Sequence, residues 1–577
     1  MADLKQDAAP SQLAGVLASS ESEICTSGDE ETSSNAFCEP RHLDGSGTFE
    51  EKEGVRSKHG YLSSLVRDFG CKHVLLQFSM QHVNQGFMYQ LCYSTIQYIL
   101  ATYHLSSPVL QMLGAILDNI WCLKLPLGIL SDACPVMGYN KGPYLLASLL
   151  LGILCMLGLG FGFLTDLWPT MLMLGSVQLM FTVADLLSQA RFNEKAQECP
   201  RGSARLMGFM MGGMLMLGLA GQLALGPIMD KLGPRAPYLF AVVPGVFNLL
   251  VVACGCMEET RKSKAECAED WNRVVSEKAQ LAAGIIMTVS IGVMCACGGL
   301  PELWMSAGGA GLTALLTMAA LATLVHKSFA KICVFFFLST ALNPSIGGAA
   351  LYFYTDGPAK YQDGPHFSVT FYASIVGGLG LLANFVGIVL FEKAAKTMPY
   401  RRLLLYANIL PPVLSLLDAV MFSRLNIRLG IPDHVFVLGS AACEKALVLW
   451  GTMPGYLITA QVAPPNMSGF MCGLINCSTY LGYTVSASCG SFLLQYLGVT
   501  PSGEADEGDT FANLWIAALV VATMPLITLV FIPCLIPEGG SYGGIERLDS
   551  NNAFEGMMKN LSARRFSGNS NTAGDAA

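Results

Sequence analysis

WCLKLPLGILSDACPVMGYNKGPY, running from Trp121 to Tyr144, is the stretch on which the reading of the whole chain turns. It starts inside an apolar run and leaves it at Leu130. A short polar turn follows, and a second apolar run opens at Pro143. Lys124 lies within the first run. A Gly-x-x-x-Asp unit, Gly128 to Asp132, closes that run, and Gly138, Lys141, Gly142 and Pro143 make the return. Clustered glycine and proline punctuate helices at turns. The pattern is that of two membrane helices joined by a tight, charged cytoplasmic turn.

Composition agrees with that reading. Of 577 residues, 52% are hydrophobic and 13% are charged, against about 25% charged in soluble domains. The net charge of −8 is local: residues 1–55 hold twelve acidic and three basic residues, leaving about +1 for the rest. Acidity confined to a tail argues against a nucleic-acid partner. The nineteen cysteines fall mostly in apolar runs, where they pack as small apolar side chains, and none has the spacing of a metal site. No metal or cofactor is expected. The first sixty residues contain no apolar stretch of signal-peptide length, so no secretory leader is expected.

From residue 72 the chain becomes a series of apolar runs of about 20 residues, the length a helix needs to cross a core about 30 Å thick. Spans are expected near 72–98, 106–130, 143–164, 168–190, 204–228 and 236–256. A polar loop, KSKAECAEDWNRVVSEKAQ, separates these from two more near 279–298 and 303–325. Six others follow near 329–355, 368–392, 402–422, 433–461, 469–498 and 511–535. The fold expected is an all-α polytopic membrane protein with fourteen spans, grouped six, two and six, with twelve as the alternative count. The corresponding divisions are an acidic disordered cytoplasmic tail (1–71), a first six-helix bundle (72–256), a loop with two extra helices (257–328), a second six-helix bundle (329–535) and a disordered cytoplasmic tail (536–577). With both termini cytoplasmic, the inner loops carry sixteen Lys and Arg and the outer loops five. That bias follows the positive-inside rule.

Charge inside a span is costly, on the order of 2.5–3.5 kcal/mol, and persists where it pairs or works. The candidates are Asp118, Lys124, Asp185, Asp418, Glu444 and Lys445. Asp118 is also compatible with a position near the outer surface, reached by water. Gln77, Gln81, Asn84 and Gln85 recur at helical spacing and line one face of the first span. That face serves either helix–helix hydrogen bonding or the binding of a polar heterocycle. Glycines crowd the spans 204–228 and 368–392, where small residues let helices approach closely. GPIMD, from Gly226 to Asp230, repeats the Gly-x-x-x-Asp unit of 128–132.

These stretches carry a resemblance. Gln85-Gly86, Lys124-Leu-Pro-Leu-Gly-Ile-Leu-Ser-Asp132, Gly138-Tyr139 and Ala184-Asp185 through Glu194 resemble motifs of the folate–biopterin transporter family, a branch of the major facilitator superfamily. Arg424-x-Asn426-x-x-Leu-Gly430-Ile-Pro432-Asp433 is the most specific match, and Met453-Pro454 and Pro464-Pro465 also fit. The acidic tail and the span count look most like the trypanosomatid members. Departures are Gln189 where the family usually has Asp, Asn140-Lys141 in place of a basic pair, and Ser468 in place of Glu. The resemblance implies a secondary carrier and not an enzyme. It implies import of folate and/or unconjugated pterins such as biopterin by alternating access, with proton symport. S-adenosylmethionine or another small metabolite is the alternative cargo, and a non-transporting nutrient sensor the alternative role. The residues it implicates in substrate binding or coupling are Gln81, Gln85, Lys124, Asp185 and Gln189. Gly128, Asp132 and Lys141 form the conformational-switch turn, and Arg424, Asn426, Pro432 and Asp433 the family motif. The expected setting is the plasma membrane, with lipid, protons and the small-molecule cargo as partners.

Overall fold

The computed structural model describes residues 60–300, 302–462 and 468–539. The described residues are overwhelmingly helical and contain no strand, only an isolated bridge between Val136 and Tyr139. In chain order the helices are α1 (Tyr61–Phe69), α2 (71–101), α3 (Ser107–Ala133), α4 (Gly142–Phe161), α5 (Leu167–Glu198), α6 (Pro200–Leu232), α7 (Ala236–Ala253), α8 (Lys264–Ser276), α9 (Lys278–Gly298) and α10 (Leu303–Leu324). Then come α11 (Lys327–Ala341), α12 (Gly347–Thr355), α13 (Thr370–Ala395), α14 (Tyr400–Phe422), the short α15 (Leu425–Arg428), α16 (433–462), α17 (Ser468–Tyr496) and α18 (Gly508–Leu535). Local chemistry sets the ends. Pro108, Pro143 and Pro237 open their helices in the first turn, where a missing N–H costs nothing. Gly162, at φ +68°, ends α4 with N–H groups of 162 and 163 turned back onto Leu159 and Gly158, the left-handed stop that glycine favours.

Eleven helices among the described residues are long and apolar enough to cross a membrane. The other three of the expected fourteen positions hold α2, the pair α11–α12, and α17. The chain is an integral membrane protein, and bulky side chains such as Leu172, Val243, Leu316, Phe385 and Val530 stay exposed on its flanks. Helices α2 to α7 pack together as one bundle, and α11 to α18 as a second. They meet along two seams, α3 against α17 and α6 against α13. The extra pair α9–α10 lies on the first seam: α9 packs on α3, and α10 on α17 and α11.

Three expectations need correction. The stretch 61–69, assigned to the acidic tail, is the helix α1. It buries Leu65 and Phe69 with Phe192, Leu206, Met207 and Met210, and Arg205 binds Asp68 at 2.5 Å. A nine-residue amphipathic helix lacks the run of about 20 apolar residues that marks a membrane span. The span 329–355 is broken between α11 and α12. Pro344 lacks an N–H and crowds the preceding turn, and the freed backbone is bound elsewhere: Ser345 N–H donates to Ser486 O and the Ser486 hydroxyl to Asn343 O. The loop 262–280 contains α8, opened by a capping box of Ser263 and Glu266. The tails 1–59 and 540–577, and the Pro464-Pro465 pair, lie outside the described residues.

Candidate functional site

Two features of the first bundle bring the implicated residues together. The segment Phe78–Met88 of α2 is wound as a π-helix, a form that often marks functional sites. Its polar face turns onto α5. The Lys124 ammonium on α3 bonds Asp185 Oδ2 on α5 at 2.5 Å. Asp185 is fully buried. Its Oδ1 accepts from Gln189 Nε2 at 2.9 Å and from Gln81 Nε2 at 3.5 Å. Gln81 also donates to the Ser188 hydroxyl at 2.7 Å. Gln85 lies one turn away and donates to Phe181 O at 2.7 Å. Four of the five residues therefore share one carboxylate, while Gln85 serves an α2–α5 backbone contact. Lys124 also lies 4.6 Å from the centre of the Trp121 ring, a cation–π contact. Trp121 stacks in turn on Tyr480 of α17 at 6.4 Å, so the pair reaches the opposite bundle through two rings.

The turn residues do something different. Asp132 is exposed at the end of α3, and the Lys141 ammonium is bound by Glu194 together with Arg191. The turn itself is gripped by the loop before α8. The Glu259 carboxylate accepts three backbone N–H groups, from Asn140, Lys141 and Gly142, at 2.8–2.9 Å. Lys262 N–H donates to Gly138 O at 2.8 Å. Gly138 has φ +87°, and a Cβ there would come within 2.8 Å of Lys262 O. Lys262 also binds Asp270 on α8, which Arg273 approaches at 3.1 Å. Burial pushes the Asp270 carboxyl up, but the Lys262 hydrogen bond and the charges of Lys262 and Arg273 outweigh it and hold the group below its ordinary value. Gly128 faces Leu186 of α5 with ordinary spacing.

The family motif is a self-contained clip. Arg424, in left-handed backbone at φ +57°, donates both guanidinium arms to Asp433 at 3.0 and 2.8 Å. Asn426 Nδ2 donates to the same carboxylate at 2.7 Å. Pro432 caps the start of α16. The clip fixes the α14–α16 connection and leaves chemistry to other residues.

The larger feature is a cavity between the bundles that sequence reasoning did not find. The first bundle lines it with residues of α2, α3 and α6, and the second with the α11–α12 break, α13 and α17. Tyr93, Gln97, Asp118, Tyr372 and Tyr483 face it. Of these only Asp118 was a candidate. Two buried glutamines tie the bundles around the cavity, one at each seam. Gln111 on α3 donates to Ser345 O and Ala487 O at 2.9 Å and accepts from Gly348 N–H at 3.2 Å. Gln222 on α6 donates to Ala373 O at 2.7 Å. One end of the cavity is laced further: Ser107 N–H to Pro501 O at 2.8 Å, Tyr352 hydroxyl to Leu105 O at 2.8 Å, and Thr370 N–H to Asp230 at 3.0 Å. Asp230 closes the second Gly-x-x-x-Asp unit, and its role is this latch across the seam. The Asn343-Pro344 dipeptide was the one available signal of a break beside the cavity.

A two-bundle membrane fold with a shared polar cavity can be compared with known proteins. The model of the BT1 family matches residues 85–550. The chain belongs to the BT1 family. Among its relatives is "Probable folate-biopterin transporter 6" of Arabidopsis thaliana, 24% identical, with 79% of this chain and 81% of that protein aligned. "Folate-biopterin transporter" of Synechocystis sp. is 24% identical over 73% of this chain and 72% of its own. "Folate transporter 1" of Plasmodium falciparum is 20% identical over 77% and 75%. Among solved structures, peptide transporter POT in complex with sulfate superposes with a TM-score of 0.54 at 15% identity, covering 81% of this chain and 96% of that one. At that identity the likeness shows the fold, which is that of the major facilitator superfamily. This BT1-family chain is a membrane transporter and not an enzyme.

Proposed function

We propose that this transporter imports folate and/or unconjugated pterins by alternating access, driven by proton symport. The observation that carries the reading is the cavity shared by both bundles, polar and tyrosine-rich, bounded by breakable hydrogen bonds at each seam. The curated relatives bear folate and biopterin in their names. Substrate held between two bundles that rock about it is how such carriers work. In this reading the termini are cytoplasmic, the laced end faces outward, and the cavity is shut on that side. Asp185 takes up the coupling proton and releases Lys124, and the Trp121–Tyr480 stack passes the change to the second bundle. Gly128, Asp132 and Lys141 govern the turn that moves with α3 and α4. The bilayer in question is the plasma membrane.

Uptake of labelled folate, biopterin and S-adenosylmethionine by a transport-null host tests this, at acidic and neutral pH. Saturable folate or pterin uptake, faster at acidic pH, is expected. Asp185→Asn is expected to leave uptake insensitive to pH. Normal pH dependence in that variant would remove Asp185 from coupling, and no uptake by surface-expressed protein would sink the substrate assignment.

A further inference from the structure

We infer that the cavity is built for an unconjugated pterin rather than folate, and that Asp118 reads the pterin's amino edge; this rests on the transport reading above. Among the described residues, the cavity lining contains one ionisable carboxylate, Asp118, and no Lys, Arg or His. Folate carries a glutamate tail with two carboxylates, and a buried anion needs a cation or several donors to replace water. The nearest cation on α3, Lys124, is six residues further along, about 10 Å on. It is bound to Asp185 and is not among the residues that line the cavity.

A pterin suits the same lining. Its ring N3–H and 2-amino group form two parallel donors, and an ionised carboxylate accepts such a pair through both oxygens. The ring is flat and aromatic, and Tyr93, Tyr372 and Tyr483 supply faces on which it can stack. Tyr93 already lies stacked on Tyr89 at 4.9 Å, so its plane is fixed before a ligand arrives. The side chain of biopterin is a short diol, which the lining hydroxyl and amide groups of Ser94 and Gln97 can bind.

The test is competition against labelled biopterin uptake in the transport-null host, with the full chain quantified at the membrane. Wild type is expected to be inhibited by unlabelled biopterin at concentrations at least tenfold below folate. Lumazine, which has an oxygen in place of the 2-amino group, is expected to compete poorly, because that edge presents an acceptor to the carboxylate. Asp118→Asn is expected to raise the biopterin KM at least tenfold and to improve lumazine competition, since an amide can donate to the new oxygen and accept from N3–H. A structural role for Asp118 would not exchange the two preferences. Equal potency of folate and biopterin, or an Asp118→Asn carrier with unchanged preference, overturns this inference and leaves the pterin-carrier reading in place. Uptake of S-adenosylmethionine alone, or of none of these compounds, overturns both.

Discussion

Lys124 and Asp185 were legible from the sequence because an ion in an apolar run is expensive and has to be matched. Their pairing could not be read, since they lie 61 residues apart on different helices. Gln111 and Gln222 escaped notice for a different reason. An amide is less costly than an ion in a membrane helix, and their partners are backbone groups, which leave no trace in a residue pattern. Removing one member of a buried ion pair leaves the other uncompensated, at about 3–5 kcal/mol. Lys124→Met is therefore expected to lower the melting temperature of the purified carrier, and adding Asp185→Leu to recover most of it. A double variant no more stable than the single one would mean the pair is not what holds α3 to α5. Gln111→Leu removes the side-chain partner of Ser345 O and Gly348 N–H, each worth about 1–3 kcal/mol when left unpaired, while Ala487 O keeps the Ser491 hydroxyl. Its expected signature is a drop in melting temperature with normal helical content.

At the level of elements, apolar periodicity located the spans and failed where a helix is short or interrupted. The helix α1 is visible only through what it covers. The break between α11 and α12 is written in Asn343-Pro344, yet the apolar residues on either side hid it. Glycine-rich spans were read as close-packing surfaces, and the structure separates a glycine within them from one outside them. A Cβ at Gly387 would fall 1.9 Å from the Ala446 carbonyl oxygen on α16, whereas one at Gly439 meets nothing within 4 Å. Gly387→Ala is expected to abolish folded expression and Gly439→Ala to leave it intact, as judged by size-exclusion profiles. The docking of α8 has a pH signature. Asp270 is depressed below its ordinary value of 3.8, so its contribution is complete above that value and is lost as pH falls through the lower folded one. Hydrogen exchange in α8 is expected to stay protected down to about pH 4 and to lose protection in more acidic buffer. Asp270→Asn is expected to expose α8 at neutral pH.

For the molecule as a whole, the two-bundle plan followed from counting spans, while the cavity depended on how six separate segments converge. The laced end gives a direct test of rocking. Ser107→Cys with Pro501→Cys places thiols where the backbones already meet at 2.8 Å. Oxidation is expected to stop uptake and reduction to restore it. Uptake that persists with the cross-link formed would show that this end never parts. The pair α9–α10 makes the carrier asymmetric. It backs the α3–α17 seam with a second layer of helix and, among the described residues, does not extend over the α6–α13 seam. The protein is bound like a book along one edge. Lipid tails, or an amphiphile dissolved among them, therefore meet the α6–α13 joint directly and the α3–α17 joint only past an extra layer of helix.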